Sequence, residues 1–297
     1  MQKVLITGAT GNVGLEVIKA LHQLPHQRSI VAGVRNLAED RERLATYNVK
    51  LVKFDFTDLS TYRAALADCA ILFLLRPPQI TAVEKYFKPL LDLARERNVQ
   101  HIIFLYVQGV EKSSIIPHHK IEKLIVASKI PYTFLRPAYF MQNFTTTLRR
   151  ELINNHKIFL PAGAAKFTLI DLRDVGAVAA KIIAAPEKHL DTAYELTNPE
   201  KLDFQEMATQ LSAGLGTPID YQSPNLLQFF LAKRKEKVPA GFILVMIMLH
   251  YLPRFQKEPA ITDWVEKITG RPPATFGQFI RDHRLLLLGR QAARVAK

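Results

Sequence analysis

Residues 8–14, GATGNVG, stand between an apolar run, KVLIT (3–7), and a helical pattern, GNVGLEVIKAL. Few folds tolerate such a concentration of small residues between two ordered elements. Gly8 permits a tight strand-to-helix turn, Gly11 lets a diphosphate approach the backbone, and Gly14 lets the helix pack closely on a sheet. Thr10, Asn12 and Val13 complete the loop. The free N–H groups of the first helical turn and the helix dipole then favour an anion. The spacing is G-x-x-G-x-x-G, not the commoner G-x-G-x-x-G, and a purely structural turn is the competing reading.

Beyond the turn, short apolar runs alternate with amphipathic helical segments. The runs are SIVAGV (29–34), VKLVKF (49–54), AILFLL (70–75), HIIFLYV (101–107) and PYTFL (131–135). They do not alternate strictly with polar residues, as expected of strands buried on both faces. The pattern predicts an α/β fold, a doubly wound parallel sheet with right-handed crossovers. A helix is predicted over 171–186, a strand over 193–197, and a helix over 203–216. Asp203 and Glu206 form its capping box, and Gly214 or Gly216 ends it. The nucleotide-binding domain is expected to span 1–155, with 168–198 returning to it. Residues 199–297 then form a smaller mixed lobe.

Composition narrows the function. The 297 residues are 48% hydrophobic and hold one cysteine, Cys69, which excludes an internal disulfide and a cysteine-rich metal site. No metal site is expected. Cys69 lies among apolar residues and reads as an inert core thiol. Met1 is followed at once by a strand-like run with no basic leader, so a cytoplasmic protein is expected. GFILVMIMLHYL (241–252) is too short to span a bilayer and reads as a buried or cleft-lining helix, and no membrane partner is expected. The net charge of +13 attracts polyanions, with basic clusters at 233–237 and in Arg281, Arg284, Arg290, Arg294 and Lys297. No helix-turn-helix, zinc pattern or RNA-binding motif accompanies them, so nucleic acid is not an expected partner.

The second strand selects the cofactor. NAD sites place an acid about twenty residues past the glycines, on the ribose hydroxyls. Here Arg35-Asn36 follow the strand. An arginine there suits a 2′-phosphate, which favours NADP(H) over NAD(H), with a surface arginine as the alternative. Asp55 and Phe56, after the third strand, lie where adenine would sit, and Asp58 reads as the cap of the next helix. Leu75 and Arg76 end the fourth strand near the switch point. Arg76 is a candidate for cofactor phosphate.

GATGNVG (8–14), GVRN (33–36), FDFTD (54–58), IPYTFLRPAYFMQN (130–143), DLRDVG (171–176) and VEKITGRPPATFGQFIRDH (265–283) together resemble the NmrA-like branch of the atypical short-chain dehydrogenases/reductases. The resemblance spans nearly the whole chain. It implies a Rossmann-type domain with a C-terminal substrate lobe. It also implies either an NADPH-dependent quinone, azo or dye reductase or an NADP-sensing regulator.

The parent superfamily uses Tyr-x-x-x-Lys, the lysine lowering the tyrosine pKa. Aligned on SKIPYTFLRP, this chain puts His118 and Glu122 in those places. His118 is a candidate proton donor, or else a helix-start residue. Lys120 points to a different helix face. Tyr106 stands where the superfamily places serine, and is either a nicotinamide contact or packing. Gln108, in the loop that follows, is a candidate polar contact, and Pro137, Phe140 and Asn143 are expected to border the nicotinamide. The expected substrate is a flat, aromatic or quinone-like acceptor, and a sensor would instead bind a protein partner. A sugar-nucleotide epimerase is disfavoured, because that chemistry relies on the missing pair.

Overall fold

The computed structural model describes residues 2–77, 79–106, 108 and 117–290, except the side chains of Pro117 and His118. Its first elements are β1 (Gln2–Ile6), α1 (Asn12–Gln23), β2 (Arg28–Val34), α2 (Leu37–Leu44), β3 (Lys50–Lys53), α3 (Ser60–Ala65) and β4 (Cys69–Leu75). Next come α4 (Val83–Glu96), β5 (His101–Leu105), α5 (Pro117–Ala127), β6 (Tyr132–Pro137), β7 (Tyr139–Phe140) and α6 (Arg149–Asn155). They are followed by β8 (Lys157–Phe159), β9 (Phe167–Ile170), α7 (Leu172–Ala184), β10 (Thr192–Leu196), β11 (Lys201–Leu202) and α8 (Phe204–Leu215). The chain closes with β12 (Asp220–Gln222), α9 (Leu226–Lys235), α10 (Ala240–Tyr251), α11 (Trp264–Thr269), α12 (Phe276–Asp282) and α13 (Arg284–Leu287).

Contacts divide the chain into two compact units. The first is Met1–Ala138, Leu172–Leu196 and Asp263–Pro272, and the second is Tyr139–Asp171, Thr197–Thr262 and Pro273–Lys297. Set beside the boundary at 155 read from the sequence, residues 139–155 sit with the second unit.

The first unit is built on a seven-stranded sheet of order β10-β6-β5-β4-β1-β2-β3, parallel at every pairing. This is the expected doubly wound α/β class. The central strands β4 and β5 are buried nearly throughout because helices cover both faces of the sheet. Leu5, Leu72, Phe87, Leu90, Ile102, Phe104 and Ile121 belong to one core cluster. A second helix layer pairs α1 with α7, and the fit is close. A Cβ on Gly176 would lie 2.6 Å from the Glu16 carbonyl oxygen. Arg271, just past α11, holds Asp174 of α7 at 2.8 Å, with the carboxylate buried. Cys69 is buried at the start of β4, and burial pushes its thiol up to about 11, as an inert core thiol requires.

The second unit has its own core, with Phe144, Leu152, Phe204, Leu211, Phe276 and Ile280 fully or nearly fully buried. Its strands are short: β11-β9-β7 form one small sheet and β12-β8 another. Helix α8 starts with the expected Asp203–Glu206 capping box and ends at Gly216, whose φ of 71° is left-handed. Gly214 lies inside α8, where a Cβ would meet Ile280 Cγ2 at 2.6 Å, so close packing and not termination accounts for that glycine.

Candidate functional site

Strand order reverses between β1 and β4, so a crevice opens at their carboxyl ends. Thr7 ties the two strand ends together. Its backbone N–H donates to the Phe73 carbonyl at 3.0 Å, and its hydroxyl accepts from the Leu75 N–H at 2.8 Å. The chain then turns at Gly8, with φ at +59°. A side chain on Gly8 would meet Leu75 Cδ1 at 3.1 Å, so the predicted residues Gly8 and Leu75 are immediate neighbours.

The other two glycines are needed for space. A Cβ on Gly14 would sit 2.3 Å from the Gly8 carbonyl oxygen and 2.8 Å from Ala9 Cα, both backbone atoms that cannot step aside. A Cβ on Gly11 would lie 3.2 Å from that same oxygen. Gly11 is the N-cap of α1, no side chain caps this end, and its first turn carries no acid. The N–H groups of Asn12, Val13 and Gly14 therefore lack intrahelical acceptors and meet no negative charge in the first turn. These features fit a dinucleotide diphosphate.

Arg35 is exposed immediately after β2, and Asn36 caps α2 by accepting from the N–H groups of Ala38 and Glu39. A different guanidinium stands by the glycine loop. Arg43 Nη2 donates to the Thr10 carbonyl at 3.2 Å. Sequence reading missed Arg43, because it lies in the charged run EDRER, which looks like any solvated helix face.

Asp55 is half-buried, and its carboxylate accepts from the backbone and hydroxyl of Thr57, both at 2.8 Å. The Phe56 ring is buried against Phe54 and Phe87, and its carbonyl accepts from the Tyr62 hydroxyl at 2.9 Å. Asp58 accepts from the Ser60 N–H at 3.1 Å in the turn before α3, but the N-cap of that helix is Leu59 and not, as expected, Asp58. Arg76 is turned onto its own loop, donating to the Ile80 carbonyl at 2.8 Å and to that of Pro77 at 3.2 Å. Its guanidinium stiffens the loop.

At the ends of β5 and β6 the polar groups pair with one another. Gln108 donates from its backbone N–H to the Pro137 carbonyl and from Nε2 to Glu195, both at 3.0 Å. Tyr106 is only 1% exposed and packs with Phe104, with the Arg136 guanidinium 5.7 Å from its ring centroid. Glu122, in the place of the superfamily lysine, is buried and receives Arg136 Nη2 at 3.1 Å. A carboxylate bound to a guanidinium cannot lower a neighbouring phenol's pKa, since a negative neighbour raises it. The His118 side chain lies outside the described residues; its backbone is in the first turn of α5. Phe140 and Asn143 belong to the second unit, on β7 and in the turn after it. Among the described residues no group of three metal-ligating side chains gathers.

A parallel sheet whose first turn presents uncapped helix N–H groups defines a dinucleotide-binding protein of the Rossmann type. A family model described as the NmrA-like family matches residues 1–249, and the chain belongs to that family of NAD(P)-binding oxidoreductases. It is 29% identical over 286 residues to the NAD(P)H azoreductase of Xenophilus azovorans, covering 94% of this chain and 97% of that protein. It is 27% identical over 281 residues to prestalk A differentiation protein A of Dictyostelium discoideum, covering 94% and 91%. Among solved structures, the triphenylmethane reductase of Citrobacter sp. complexed with NADP(H) superposes with a TM-score of 0.83 at 24% identity, covering 94% of this chain and 99% of that one.

Proposed function

We propose that this protein is an NADPH-dependent oxidoreductase that reduces a flat quinone-like, azo or dye-like acceptor without a tyrosine–lysine pair. The observation that carries the reading is the pairing of Glu122 with Arg136, which removes the lysine site from acid–base work. The azoreductase relative gives the acceptor class its chemical precedent. Dihydronicotinamide, when bound, supplies a hydride, and a quinone becomes a hydroquinone with one further proton taken from water. The protein's part is then alignment of the reactants. The amides of Asn12, Val13 and Gly14 hold the diphosphate, with Gly8, Thr10 and Gly11 shaping the loop. Arg35, assisted by Arg43, takes the 2′-phosphate. Leu75 and Asp55 line the crevice, and Gln108 and Pro137 close it at the ends of β5 and β6.

The reading is tested by offering NADPH and a panel of quinones and azo or triphenylmethane dyes, following absorbance at 340 nm. Steady oxidation with at least one acceptor is expected. Tight NADPH binding with no oxidation by any acceptor favours a second reading, an NADP(H) sensor that binds a protein partner. The same displaced lysine and the differentiation-protein relative favour that reading.

A further inference from the structure

Helix α10 has no polar face. Ile243, Met246 and His250 point into the core of the second unit. The stripe Phe242, Val245, Leu249 and Leu252, also spaced by three and four residues, is 43–46% exposed. Two such stripes on one helix mean that packing within the unit uses only one of them. Helix α9, which packs on α10, exposes Leu227 and Leu231 by 67% and 52%, and just beyond α10 Phe255 is 72% exposed. Isolated exposed leucines need no explanation, but a contiguous patch marks an interaction site.

Charge decides between occupants. Arg234 follows Leu227 and Leu231 on the outward face of α9, Lys235 ends that helix and Lys237 lies in the link to α10, all exposed. At the other end Arg254 and Lys257 are exposed, and the Arg254 guanidinium lies 5.0 Å from the Tyr251 ring. Glu236 is drawn inward onto Lys233 at 2.9 Å, and Glu258 holds Lys201 at 3.2 Å. Both ends of the apolar stripe are thus basic, on a chain of net charge +13. A two-fold pairing with a second copy would set these cationic ends against one another. An anionic bilayer surface instead supplies apolar depth for the stripe and negative headgroups for both flanks.

We propose that α9 and α10 dock this protein on the surface of an anionic membrane, with α10 lying in the interface plane. At 12 residues, α10 is about 18 Å long and cannot cross a hydrocarbon core of about 30 Å. Among the described residues no helix is long and apolar enough to span one. Such a surface contact departs from the expectation of no membrane partner, and it does not depend on the acceptor.

Co-sedimentation of the full chain with phosphatidylcholine vesicles, with and without about 30 mol% phosphatidylglycerol, tests it. Binding to the anionic vesicles alone is expected, weakening as salt rises. Val245→Ser with Leu249→Ser, which leaves the charge unchanged, is expected to weaken partitioning at least about tenfold. Arg234→Glu with Lys235→Glu is expected to weaken it by a similar factor. Both pairs are exposed, so thermal melting should stay at the parent value. Absence of binding to anionic vesicles overturns the proposal. So does undiminished binding of the serine variant, which would make the attraction one of net charge alone. A parent dimer in sedimentation velocity that becomes monomeric in the serine variant would assign the stripe to a second copy instead.

Discussion

Both units pair their buried ionic groups, and they differ in what they leave uncommitted at the surface. In the first, Glu122 holds Arg136 and Asp174 holds Arg271, while the amides of Asn12, Val13 and Gly14 stay uncapped at one sheet end. The second pairs its buried polar groups as well. Lys233 is buried between Glu151 at 3.3 Å and Glu236 at 2.9 Å. The buried His250 donates from Nδ1 to the Met246 carbonyl at 2.6 Å, so its Nε2 accepts from the Tyr139 hydroxyl at 3.2 Å. The apolar side chains of α10 are meanwhile left outside. One unit is organised to receive an anion, and the other offers a greasy face.

The largest expected effect breaks both units together. Burial holds His250 at about 4 and, chiefly through burial, His101 of the first unit at about 4, against an ordinary value of 6.5. The unfolded chain therefore takes up these two protons first as pH falls. Stability from each histidine is complete above pH 6.5, falls between 6.5 and about 4, and is level below. Each contributes about 3 kcal/mol across that window. Urea melts at several pH values should show the slope, and His250→Gln should remove one proton's share. An unchanged slope in that variant would refute the buried neutral histidine.

Next in size is Lys233→Ala, which strands two carboxylates and is expected to cost about 3–5 kcal/mol in a urea melt. In the folded variant the NADPH Kd should stay within about twofold, because the loss belongs to the second unit. A large change in Kd would mean that the two units are not separable in this way. Smaller, and confined to the first unit, is Gly14→Val. Its Cβ overlaps the Gly8 carbonyl, so the NADPH Kd in a fluorescence titration should rise about 100-fold, or about 2.7 kcal/mol.

The same contrast explains what could be read from the sequence. The parallel sheet was visible because its central strands, such as β4 and β5, are near-continuous apolar runs bounded by turns, while the edge strands β3 and β10 carry mixed sequences at the same strand–helix spacing. The glycine loop was visible because backbone crowding leaves no substitute for Gly14. In the second unit, strands such as β7 and β11 have two residues, too few to show a period, and α10 lacks the polar face that marks a surface helix. Arg43 was hidden because its role depends on a helix returning to the loop 33 residues away. The Glu122–Arg136 pair joins a helix to a strand, a contact that local spacing does not encode.

The selection of NADP(H) by Arg35 at the end of β2 is tested most directly by titrating NADPH and NADH into the parent and into Arg35→Ala. The parent should bind NADPH at least about tenfold more tightly, and Arg35→Ala should lose most of that margin while leaving the NADH Kd nearly unchanged. Equal affinities in the parent, or a margin that survives the substitution intact, would contradict it.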